Sequence, residues 1–218
     1  MRMMEFLAHI GFWPALGGQL LLTAGTFLLA VAIGFPLGLL AYRYRVLTPP
    51  MIGFANFLKI LPGFAVFGIL MAMGRHSTVT SLLAALFFTI LPVIFGTEKG
   101  FRRIGRPPID AALGMGMDPA TIFVRVLLPL ASPQVMAGLR RAGVAAVGMV
   151  TLATMRGGGL GALILEGIRQ NNGSMTLAGA LPACLLALIA DLALAWLFRL
   201  VVPAPLRRRE KRVLYIAK

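Results

Sequence analysis

Long apolar runs separated by short polar breaks dominate this chain, and their lengths predict helices that cross a membrane. Residues 20–41, 51–73, 79–96, 134–154 and 175–202 are each apolar and long enough to cross, given a hydrocarbon core of about 30 Å and a rise of about 1.5 Å per helical residue. Prolines and charges mark where these runs are interrupted. Pro36, flanked by Gly34 and Gly38, predicts a kink near the end of the first run, and Pro92 falls near the end of the third. The second carries Lys59 and Pro62-Gly63; the fourth is uninterrupted only after Arg140-Arg141; the fifth is broken by Pro182 and Asp191. The expected fold class is all-α, a polytopic membrane protein of about five transmembrane helices.

The polar breaks divide the rest. Residues 1–18, with Trp13, Pro14 and Gly17-Gly18, read as an external interfacial segment broken at the proline and glycines, its aromatic rings at headgroup level. Residues 19–202 form the transmembrane domain. Within it, residues 97–133 are a polar, mostly cationic island, and residues 155–174 are a second irregular stretch with a short helix expected over 162–168. Residues 203–218 are a basic tail.

Composition supports the membrane reading, because only 13% of the 218 residues are charged and 59% are hydrophobic. A soluble domain carries roughly a quarter charged residues. The net charge of +14 would point to nucleic acid in a soluble protein, but here its placement points to lipid and an anionic cytoplasmic leaflet, with no nucleic-acid partner. With the central island inside, the inner side collects Arg43, Arg45, Lys99, Arg102, Arg103, Arg106 and Arg125. The tail side adds Arg199, Arg207, Arg208, Arg209, Lys211, Arg212 and Lys218. The outer side keeps only Arg2, Arg75, Arg156 and Arg169. That bias predicts an external N-terminus and a cytoplasmic C-terminus. Cys184 has no partner for an intrachain disulfide and reads as a small hydrophobe. The N-terminus lacks the three-part pattern of a cleaved signal peptide, so the first membrane segment is expected to direct insertion.

Helix signals give the central island its own structure. Pro107-Pro108 are expected to end any helix reaching in from the third run. A short helix over 109–117 would then carry Asp110 in its first turn, at the positive end of the helix dipole. Asp118-Pro119 reads as an N-cap followed by proline at the first helical position, opening an amphipathic helix over about 120–128 that halts at Pro129. The sequence Asp110-Ala111-Ala112 is followed after three residues by Gly116, after nine more by Val126, and then by Leu128-Pro129. This resembles the cytoplasmic loop of permease subunits in binding-protein-dependent ABC importers, where Glu-Ala-Ala, Gly, Ile and Leu-Pro stand at the same spacings. Here Asp replaces the Glu and Val the Ile. The resemblance implies the type I ABC importer permease fold, with Asp110, Ala111, Ala112, Gly114, Gly116, Val126, Leu128 and Pro129 in a loop that couples to a cytoplasmic ATPase subunit. It further implies a second permease copy or paralogue, and a separate external substrate-binding protein. ATP would be held by the partner subunit, with no cofactor on this chain.

The likeness extends over about residues 20–202 and is greatest for permeases that import osmoprotectants such as glycine betaine, choline, carnitine and related quaternary amines. It rests on Leu61-Pro62-Gly63-Phe64, on Ala180-Leu181-Pro182, on Ala190-Asp191-Leu192 and on the glycine-rich turn Gly157, Gly158, Gly159 and Gly161. It implies residence in the plasma (inner) membrane of a prokaryote. Permeases for methionine and other amino acids share the loop but fit the fifth run less well. The glycine turn reads as a close-packed outer turn that accommodates positive φ, near the external gate.

Four charges need partners within the apolar runs. Asp191, eight residues before Arg199, sits about 12 Å deep, and Lys59, Arg140 and Arg141 reach a similar level. An intramembrane cluster of Lys59, Arg140, Arg141 and Asp191 is expected, read as structural ahead of substrate-binding. The other reading has the arginines snorkel to the interface while Asp191 bonds to backbone. Phe57, Phe64, Phe67 and Trp196 could line a path, although aromatics at helical spacing more often pack. No phosphate-binding loop, His-Glu-x-x-His or carboxylate cluster is present, so the chain is not expected to be an enzyme. A secondary transporter or integral membrane enzyme would need several acids or histidines at midplane depth, and only Asp191 qualifies.

Overall fold

The computed structural model describes residues 10–44, 46, 49, 50, 53 and 78–202. Among them no strand occurs, and four helical stretches are long and apolar enough to cross a membrane. Residues 54–73, including Lys59, lie outside the described residues, as do residues 1–9 and the basic tail 203–218.

Helix α1 runs Phe12–Arg43 without the break expected at Pro14 and Gly17-Gly18. Pro14 falls in the first turn, where its missing N–H has no helical acceptor to satisfy. Phe12 is buried with Leu160, Leu163 and Ala183, and this packing draws the segment into the helix. Helix α2, Thr78–Arg102, passes through Pro92 and carries Glu98 in its last turns. Asp191 is therefore not the only acid on a spanning helix. Glu98 is 3% exposed and pairs with Arg102 four residues on.

Glycine decides how close α1, α2 and the next long helix lie. A Cβ on Gly34 or Gly38 of α1 would sit 2.9 Å from the Val93 side chain or 2.6 Å from Thr97. Gly96 of α2 faces Gly138, where a Cβ would come within 2.6 Å of the opposing Cα. Small residues four apart let backbones approach closely where lipid supplies no hydrophobic drive.

Between these spans lie α3, Arg106–Gly114, and α4, Pro119–Ile122. After α4 comes a single π-helical turn, Phe123–Leu127, and then α5, Leu128–Ala153. The helix expected to halt at Pro129 instead continues as one body over Pro119–Arg156. In the π turn, the Leu128 N–H reaches back to the Phe123 carbonyl. The widened turn gives the Pro129 ring room where a regular one would drive it into a preceding carbonyl. Pro133 has no N–H to offer the Pro129 carbonyl, and the Ser132 hydroxyl donates to it instead at 2.7 Å. A 3₁₀ turn, Thr154–Arg156, and the glycine turn lead into α6, Leu160–Arg169, and then α7, Gly173–Val201, capped by the Asn172 side chain on the Met175 N–H.

Candidate functional site

The loop between α2 and α5 is anchored by aromatic packing. Tyr42 at the end of α1 lies 5.6 Å from Phe101 of α2, and Phe101 stacks on Phe123 of the π turn, also at 5.6 Å. Ala131 and Val135 are buried with Phe101. The loop is thereby fixed to three helices.

Within it, α3 begins at Gly105 as N-cap and takes Arg106, Pro107 and Pro108 into its first turn. The two prolines open this helix rather than ending the one before it, because first-turn residues have no intrahelical acceptor for an N–H. Asp110 consequently stands in the second turn, not the first. At the other end, the Gly116 N–H donates to Leu113 O at 2.9 Å and the Met117 N–H to Ala112 O at 3.1 Å. Gly116 has φ 76°. This is a Schellman cap, which needs a left-handed residue at that position. Gly116 thus has a conformational duty that its expected role in docking did not include.

Asp118 opens α4 as expected. Its carboxylate accepts the Ala120 and Thr121 N–H groups, each at 3.1 Å, and the Thr121 hydroxyl. The Thr121 hydroxyl, then the Thr121 N–H, hold this carboxyl below its usual value of 3.8.

These caps fix a surface. Ala112 is buried, while Asp110, Ala111, Gly114 and Gly116 are exposed. Leu113 and Met115 project at 54% and 69% exposure, with Val124 at 59%. A Cβ on Gly114 would meet nothing. Val126 and Pro129 are half-buried and Leu128 remains partly exposed, so the second half of the motif builds the start of α5 beneath the exposed part. Capped ends, projecting apolar side chains and the exposed Asp110 give this segment a defined, partly apolar surface.

Of the expected charge cluster, the structure joins two members. Arg140 of α5 donates from Nε at 3.0 Å and from Nη2 at 2.6 Å to the two oxygens of Asp191 on α7. Arg141 turns back to Ala137 O at 3.0 Å on its own helix. Trp196 is exposed.

The glycine turn has positive φ at Gly157 and Gly158, while Gly159 is extended and caps α6. It packs on a polar cluster that sequence reasoning passed over. Gln19 is fully buried and donates to the Thr151 hydroxyl at 3.0 Å, and the Thr154 hydroxyl donates to Gln19 Oε1 at 3.3 Å. A Cβ on Gly159 would meet Gln19 Oε1 and Thr154 Oγ1, each at 2.7 Å. The available signal was spacing: Gln19 and Thr23 are four apart on one helix, and Thr151 and Thr154 three apart on another. Beside the turn lies a cleft of about 630 Å³ lined in part by Arg156, Leu163, Glu166, Arg169 and Met175.

Known proteins share both the sequence and the architecture. The glycine betaine/carnitine/choline transport system permease protein OpuCD of Bacillus subtilis is 34% identical over 211 residues, covering 92% of each chain. The osmoprotectant import permease protein OsmW of Salmonella typhimurium is 34% identical, over 82% of this chain and 86% of that one. The inward-facing MetNI methionine ABC transporter contains a chain that superposes with a TM-score of 0.69 at 20% identity, over 93% of this chain and all of that one. That likeness establishes the fold alone. Residues 10–204 match the binding-protein-dependent transport system inner membrane components, and the chain belongs to that family.

Proposed function

We propose that this chain is the permease subunit of an ATP-driven importer, forming the membrane path for a small osmoprotectant of the quaternary-amine class. The observation that carries the reading is α3, stopped at both ends and presenting Asp110, Leu113, Gly114 and Met115 outward. The ATPase that this surface meets is a separate cytoplasmic subunit, a second permease completes the path, and an external binding protein delivers the solute. The N-terminus lies outside and the C-terminus inside, as the bias of arginine and lysine requires. The substrate class is supported by the relatives named for glycine betaine, carnitine and choline.

The test is retention of the ATPase. Leu113→Arg alters the exposed surface and leaves the Gly116 and Asp118 caps intact. Losing one buried leucine contact, about 1.5–3 kcal/mol, weakens ATPase binding by about 10- to 100-fold. Co-purification from detergent extracts measures this, and uptake of labelled glycine betaine should fall with it. A parent complex that retains no ATPase, or a variant that retains it fully, refutes the reading.

A further inference from the structure

The Arg140–Asp191 pair is oddly placed for a structural bridge. It lies about 12 Å along α7 from Arg199, yet the two side chains remain 38% and 33% exposed. Lipid cannot solvate such a pair, and charged side chains within spans face protein or water. The bonding pattern favours water. Guanidinium has five N–H donors, and Asp191 takes one from Nε and one from Nη2. The other edge, formed by Nη1 and the second Nη2 hydrogen, has no acceptor among the described residues. That edge has the spacing that accepts a carboxylate through two parallel bonds.

We propose that the Arg140–Asp191 pair borders a water-filled route through the membrane, and that the open edge of Arg140 binds the carboxylate of a small solute in transit. Asp191 is then a positioning residue. It occupies one edge of the guanidinium and turns the other toward the route. A quaternary amine bearing a carboxylate, such as glycine betaine, engages this edge; choline, which has no carboxylate, does not. The inference rests on the importer reading given above.

Cys184 provides a reporter that leaves the pair untouched. It is exposed, and it precedes Asp191 by two helical turns, about 10 Å, on the same face of α7. Ile189 and Trp196 lie on the opposite side of that helix. In the complete complex in membranes, a charged, membrane-impermeant maleimide should label Cys184 and should leave Ile189→Cys unlabelled in a Cys184→Ser background. Glycine betaine should slow labelling of Cys184 several-fold more than choline does. In a second arm, Arg140→Lys keeps the charge opposite Asp191 but lacks the second edge, so the ratio of glycine betaine to choline uptake should fall at least tenfold. A parent complex that takes up neither solute refutes the importer reading. A transporting parent in which Cys184 stays unlabelled, or is protected equally by both solutes, overturns the present inference alone, as does an assembled Arg140→Lys complex whose uptake of both solutes changes equally.

Discussion

Replacing Gly114 and Gly116 with alanine adds the same methyl group two residues apart, and the structure requires opposite results. Gly116 has φ 76°, where an L-residue costs about 1–2 kcal/mol. At Gly114, the last residue of α3, the added Cβ meets nothing within 4 Å. Alanine in place of glycine in a helix gains about 0.5–1 kcal/mol. The Met115 and Met117 amides, which donate to Ala111 and Ala112, report on this cap directly by hydrogen exchange. Gly116→Ala should speed their exchange by about 5- to 30-fold, and Gly114→Ala should slow it by about 2- to 5-fold. If Gly116→Ala is silent or protective, the Schellman cap is not what holds this segment. The same arithmetic separates two properties that a bulky residue at Gly116 would confuse: losing the shape of the loop and losing its fit to a partner.

Two further outcomes follow from neighbouring sites. The Asp118 carboxyl titrates below its usual value of 3.8, so its contribution to the start of α4 is complete above that pH and is lost as pH falls through the lower folded value. Protection of the Ala120 and Thr121 amides should be flat from pH 5 to 8 by this mechanism and fall in acid. Asp118→Asn, which caps without a charge, should remove the acid limb, and an unchanged limb refutes the assignment. Gln19→Leu keeps volume but deletes the bonds to Thr151 and Val147 O. Interhelical bonds in membranes are worth about 0.6–1.7 kcal/mol, so Tm in detergent should drop by about 1–7 °C; a higher Tm would show that the cluster is a net liability.

The long helices were legible because twenty or so apolar residues leave the backbone one way to satisfy itself in lipid. Asp118-Pro119 was legible for a local reason, since cap chemistry depends on adjacent residues alone. Proline misled at three places. Pro14 and the Pro107-Pro108 pair lie in first turns, and Pro129 follows a π turn, so none ends a helix where its usual effect predicts. Whether a missing N–H matters depends on what stands four residues earlier, and sequence alone does not say where a helix starts. Arg140 and Asp191 were visible as charges in apolar runs, but their pairing over Arg141 depends on the rotation of α5 against α7. Gln19 was passed over because the glycines around it read as a break, whereas Gly18 is instead a place where the glycine-turn backbone comes close.

The unbroken helical body from Pro119 to Arg156 has 38 residues, about 57 Å at 1.5 Å per residue and nearly twice the thickness of a hydrocarbon core. One end is built into the exposed loop and the other stops at the glycine turn, so two features that stand far apart in the sequence are the two ends of one helical body. A tilt of about 10° at the loop would swing the far end by about 10 Å if the body moved stiffly. Under the proposed function, a displacement imposed on the loop is carried to the glycine turn within this one helical body, whose π turn lies close to the loop end.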